Sequence, residues 1–323
     1  MRVLSALLLG AAAAISAFAQ GGARQQLAQA NTALQAGEAD KALALLDTYA
    51  RPHGSAEAYN LRCRVLYTLE HWDAAANDCE QAVKLDGENS DDHMWLARAL
   101  GERASRASFM NAYSLAKRVR AEFEEATRLN PRNGEALSDL GEYYYSAPGV
   151  VGGGTDKAEV VAAQLDKLDP VRAHELRGHI AEQRKDYGTA ERELKQAIAG
   201  SAHPAFQWMT LASFYRHHER WTEMESAVRS GENAAERDKH AGVALYNGAS
   251  ELIRTKRDPA RAARMLEEYV ASSAKTEEAP AFAAHTMLAR LRAQLGDTAA
   301  ASRERAAALA LAHDYKPALD LKY

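Results

Sequence analysis

The sequence predicts an all-α fold, a superhelical solenoid of about eight helical hairpins. Three observations predict it. The 323 residues are rich in Ala, with only 20 Gly and 8 Pro, a balance that favours helix almost throughout. No segment shows the β-branched, period-two alternation of a strand. Small and large apolar residues recur at a fixed interval: Gly178 and Ala212 stand thirty-four residues apart, as do Tyr187 and Trp221.

The first element is a leader. The chain opens MRVLSALLLGAAAAISAFAQ. One positive charge at Arg2, an apolar run and the triplet Ala17-Phe18-Ala19 fit a secretory signal peptide cleaved after Ala19. Residues 1–19 are therefore expected to be removed and the mature chain to be periplasmic or secreted. An uncleaved anchor is the competing reading, but the run is short for a spanning helix. No Cys follows it to carry a lipid. No later segment is apolar for long enough to cross a bilayer, so no stable membrane insertion is expected after cleavage.

From residue 20 to 315 the chain reads as consecutive hairpins. Ala30, Ala42 and Tyr49 mark the first faintly. Tyr59, Cys63, Trp72, Ala75 and Ala82 mark the second, and Leu96, Ala97, Phe123, Ala126 and Pro131 the third. Leu137-x2-Leu140-Gly141-x2-Tyr144 opens the fourth, which closes at Ala158 and Pro170. Gly178, Tyr187, Ala190, Leu194 and Ala197 form the fifth. The sixth is the clearest: Trp208-x2-Leu211-Ala212-x2-Tyr215, a turn, then the helix from Trp221. Tyr246, Ala262 and Tyr269 mark the seventh; Leu288, Ala289 and Ala301 mark the eighth. Residues 316–323 are expected to form a short C-terminal cap. Gly141, Gly178 and Ala212 sit mid-helix, where a small side chain lets a neighbouring helix approach. One hairpin cannot bury its apolar face alone, so the units must stack.

The pattern resembles the tetratricopeptide-repeat (TPR) family, W-x2-L-G-x2-Y…A-x3-F…P, over nearly the whole mature chain. The resemblance implies a right-handed superhelix whose first helices line a concave groove, and non-catalytic binding of a protein or peptide there. Positions a quarter-turn to a half-turn from the small-residue contacts then face the groove. They are Glu142 and Tyr145 in the fourth hairpin, Glu175, His179 and Glu182 in the fifth, Phe206, Met209, Ser213 and Arg216 in the sixth, and Asn247, Glu251 and Arg254 in the seventh. The apolar pair Phe206 and Met209 is expected to anchor the partner; packing against the preceding hairpin is the competing reading. Asn31 and Asn60 could belong to a carboxylate-gripping TPR site, but Leu27 and Trp95 stand where its cations should be.

Other chemistry finds little support. The stretch YYYSAPGVVGGGTDKA (143–158) is glycine-rich, yet it follows helix rather than strand, and Lys157 is followed by neither Ser nor Thr. A phosphate-binding loop needs both. Thr155 or Asp156 is instead expected to cap the next helix. Two enlarged loops, 101–118 and 146–157, join the helices of the third and fourth hairpins and should lie side by side. They are the place for the alternative function, an enzyme or enzyme accessory subunit. No nucleophile motif is present. There is no metal motif either; His174 and His179 are five apart, and His217 and His218 are adjacent and expected to diverge. No cofactor is expected. A net charge of -4 with interspersed signs argues against a nucleic-acid partner. Cys63 and Cys79 fall on the facing sides of one hairpin at borderline spacing for a bridge, and both the bonded and the free pair stay open.

Overall fold

A computed structural model describes residues 22–322; the predicted leader and its cleavage point lie outside the described residues. Sixteen helices pair as eight hairpins. These are α1 (22–36) with α2 (Ala39–His53), α3 (Ala56–Thr68) with α4 (Trp72–Leu85), and α5 (Ser90–Arg106) with α6 (Phe109–Leu129). Next come α7 (Gly134–Ser146) with α8 (Thr155–Leu165), α9 (Pro170–Gln183) with α10 (Tyr187–Gly200), and α11 (Ala205–His217) with α12 (Trp221–Ala235). The last two pairs are α13 (Gly242–Arg254) with α14 (Pro259–Ala271), and α15 (Ala281–Gln294) with α16 (Thr298–Leu311); a short α17 (Lys316–Leu319) follows. No strand occurs among the described residues. The predicted all-α solenoid is what forms.

Local sequence sets the helix ends. Asp169, Asp186, Asp258 and Asp297 each accept a backbone N–H in the first turn of the helix that follows, and Ser55 and Asn133 do the same. Such caps satisfy amides that a helix start leaves without partners. Six of the eight hairpins turn in one way. A residue with left-handed backbone, Gly37, Glu70, Lys185, Glu219, Lys256 or Gly296, ends the first helix. The amide after it reaches five residues back, as in Arg220 N to Tyr215 O at 2.9 Å and Asp186 N to Ala181 O at 2.9 Å. This is the Schellman closure.

The two exceptions are the hairpins with extra residues, and the structure corrects both expectations about them. Residues 101–118 are not a loop. Ala, Arg, Glu and Ser in GERASRASFMNAYSLAKR favour or tolerate helix, so α5 runs on to Arg106 and α6 starts at Phe109, with Ala107 and Ser108 between them. Segment 146–157 is a true loop with one 3-10 turn, Gly149–Val151. Neither Thr155 nor Asp156 caps α8; Gly154 holds the cap position and makes no side-chain capping bond. Segment 146–157 packs on α6 just past residue 118: a Cβ on Gly152 would collide with the Arg120 guanidinium.

Small residues sit where helices touch. A Cβ on Gly178 would lie 2.8 Å from Leu194, and one on Gly141 would lie 2.5 Å from Leu176. Cys63 and Cys79 are joined, their Cα atoms 5.4 Å apart, which settles the pairing left open above and ties α3 to α4.

The solenoid closes on itself. Phe282 and Ala283 of α15, Ala308 of α16, and Ala312, Tyr315 and Ala318 share one buried cluster with Leu27 and Leu34 of α1, Leu46 of α2 and Leu69 at the C-cap of α3. Gly37, with φ +72, lies against the backbone of Ala281, an approach that leaves no room for a side chain. Between α14 and α15 the segment 272–280 crosses the inner face. Its Glu277 receives two bonds from Arg64 of α3, at 2.9 and 2.5 Å, and one from Gln35 of α1 at 3.0 Å.

Candidate partner-binding site on the inner face

First helices present the inner surface. Tyr145 of α7 stacks on His179 of α9 with ring centres 5.6 Å apart. His179 Nδ1 lies 3.7 Å from Glu182, which also meets His217 at 3.3 Å and His218 at 3.0 Å. Arg216 contacts the His217 ring at 2.8 Å, donates to Ser213 at 3.2 Å, and pairs with Glu251 of α13 at 2.5 Å. The predicted positions Tyr145, His179, Glu182, Ser213, Arg216 and Glu251 thus join one polar ladder across four hairpins. Glu175 takes a hydrogen bond from Thr210 of α11 at 3.4 Å. Glu142 and Arg254 are exposed, Asn247 is half-buried and Glu251 is buried.

Met209 does not face the groove. It is 3% exposed, with its methyl in a hole that Gly231 of α12 and Gly248 of α13 leave open. The contacts that fix it come from its own hairpin and the following one. Phe206, one helical turn earlier, is 42% exposed. It borders a cavity of about 390 Å³ with Arg172, Glu175, Gln207 and, from the crossing segment, Glu278. Of the pair, only Phe206 is open to the groove.

Electrostatics set this face apart. Glu142 keeps open surface, yet the protein packed around it on the concave face still pushes its carboxyl up, and the charge of Asp139 adds to the shift. Burial likewise raises Glu175 and Glu278, the latter with help from Glu135. Burial also raises the Tyr145 hydroxyl, with Glu142 and Glu182 adding to it. For Glu182 burial acts upward, but hydrogen bonding to His179 and the charge of His217 carry the carboxyl below its usual range. The inner arginines are already engaged: Arg64 with Glu277, Arg98 with Asp139 at 2.6 Å, Arg216 with Glu251. Arg64 and Arg98 also lie over the Trp95 ring at 5.4 and 4.6 Å. Glu142, Glu175 and Glu278 have no ion pair among the described residues.

No protein-family profile matches the chain, and no curated protein matches it. Among solved structures it is similar to TTC0263, a thermophilic TPR protein of Thermus thermophilus, at 17% identity and TM-score 0.51, over 59% of this chain and 98% of that one. It is also similar to yeast Tom70 at 15% identity and TM-score 0.54, over 87% of this chain and 56% of that one. The fold is that of a TPR solenoid.

Within this TPR frame, several inner-face groups escape sequence reasoning. His217 and His218 converge on Glu182 instead of diverging, because α11 ends at His217 and His218 occupies its C-cap, where helical spacing no longer applies. Glu277 and Glu278 come from an inter-hairpin segment that the repeat pattern does not describe. The one available signal was its length and its Glu-Glu-Ala-Pro composition. At the other candidate place, beneath 146–157, the polar groups are engaged structurally. The Tyr143 hydroxyl sits 2.9 Å from Ala116 O and 2.8 Å from Val151 O, Tyr144 donates to Glu124 at 2.8 Å, and Lys157 donates to Gly152 O at 2.7 Å.

Proposed function

We propose that the chain is a non-catalytic scaffold that binds a basic segment of a protein or peptide partner on the inner face of the solenoid. One observation carries this: Glu142, Glu175 and Glu278 have no ion-pair partner among the described residues, while Arg64, Arg98 and Arg216 are committed to other acids. A Lys or Arg brought into the groove would give these carboxylates the counter-charge they lack. Phe206 would supply apolar contact beside it. A polyanion such as nucleic acid would be repelled. The Cys63–Cys79 bond and the predicted leader both suit an oxidising compartment, the periplasm or the exterior.

The test is a titration with a labelled lysine- and arginine-rich peptide. The double variant Glu142→Gln with Glu175→Gln is expected to bind about tenfold more weakly, a change of about 1.4 kcal/mol. Both carboxyls are raised in the fold, so they stabilise it only below their unfolded range, and that contribution is lost as pH rises through the folded values. The variant should therefore be at least as stable as the parent at pH 8. Peptide affinity should strengthen as pH rises through the same range. Equal affinity of parent and variant at pH 8 would overturn the reading.

A further inference from the structure

Three metal-ligating side chains meet at the seam where the two ends of the solenoid join, and a fourth, His71, stands beside one of them. Asp40 lies in the first turn of α2, His71 at the N-cap of α4, and His313 and Asp314 in the link between α16 and α17. Ligand atoms of Asp40, His313 and Asp314 all lie within 4.8 Å of one another. His313 Nδ1 is 2.8 Å from Asp40 Oδ1, and the His313 amide donates to Asp40 Oδ2 at 2.9 Å, which fixes the link against α2. His71 Nε2 stands 3.7 Å from Asp314 Oδ2. A separate observation points to a ligand: Asp314 Oδ1 is shielded from solvent and has no hydrogen-bond partner. A shielded acceptor without a donor is costly, and a cation beside it would remove that cost.

We propose that Asp40, His71, His313 and Asp314 form a divalent transition-metal site of the zinc class that staples the C-terminal end of the solenoid to its first two hairpins. Two imidazoles and two carboxylates suit zinc rather than calcium or magnesium, which favour all-oxygen shells. Tetrahedral zinc with bonds of about 2.0–2.2 Å places its ligand atoms about 3.4 Å apart. The separations of 2.8 and 3.7 Å bracket that distance, and the His71 imidazole would move in toward Asp40 and His313 to complete the shell. The residues come from three places far apart in sequence, and for that reason no local spacing motif announces them. A metal here would act on the closure itself, because each end of the chain supplies two ligands.

The experiment uses the untagged full-length mature chain, stripped with a chelator and titrated with zinc alone by calorimetry, with cobalt as a spectroscopic substitute. One zinc per chain is expected, with a melting temperature that rises with zinc concentration and cobalt absorption of tetrahedral type. Asp314→Asn and His313→Gln should each weaken zinc binding at least tenfold while melting near the parent in the absence of metal. If a variant melts early even without metal, the cobalt spectrum of the folded parent still decides the coordination. Absence of saturable binding by the parent overturns the site. So does parental affinity in both variants, which would put the zinc elsewhere, for example around Glu182.

Discussion

Asp92 of α5 is 2% exposed, and burial pushes its carboxyl up to about 7. Its Oδ2 has no hydrogen-bond partner, and neither does the nearby Asn60 Nδ2. With the folded value above the unfolded one, the group supports the fold below about pH 4 and that support is lost as pH rises through about 7. Asp92→Asn, neutral and of equal size, should therefore be more stable than the parent at pH 8, by on the order of 1–4 kcal/mol. The advantage should vanish near pH 4. Parallel melting curves from pH 4 to pH 8 would contradict the assignment. The same scale shows where single positions were legible. Gly141, Gly178 and Ala212 announce themselves because a small residue amid large ones has a local cause. Met209 does not, because its place depends on two glycines in other helices, Gly231 and Gly248. Its removal tests the core and not the groove.

Hairpin ends were readable from the repeat interval, but the one cap read from the sequence, Thr155 or Asp156, fell one residue late, because Gly154 takes that position. The element-level error lay in 101–118, where extra residues were taken for loop although their composition permits helix; length was visible, but conformation was not. The six repeated turns offer a sharper check. Glu219 holds φ +56 at the end of α11, a conformation in which a Cβ costs about 1–2 kcal/mol. Glycine removes that cost but adds chain entropy to the unfolded state. Glu219→Gly should therefore stabilise by a few tenths to about 1 kcal/mol, read as a raised midpoint in urea with unchanged slope. A lowered midpoint would show that the turn is held differently.

Over the whole molecule, stacked hairpins were predictable, since each buries its apolar face only against a neighbour. Closure was not. It rests on Phe282 packing edge-on to Tyr315 at 4.7 Å among residues of α1 to α3, and on Glu277 reaching Arg64. Such contacts between distant segments leave no periodic trace. Closure also changes the groove, which the segment 272–280 crosses, so a partner would meet separate bays such as the one beside Phe206 rather than one long channel. The central claim is that this inner face takes the partner. The most direct measurement puts a photo-crosslinking p-benzoylphenylalanine at Phe206 inside or, as a control, at Val160, which is 61% exposed on the second helix α8. Irradiation in envelope extract should join the chain to another protein from position 206 and not from position 160. No adduct from position 206, or equal yield from both positions, would contradict the account.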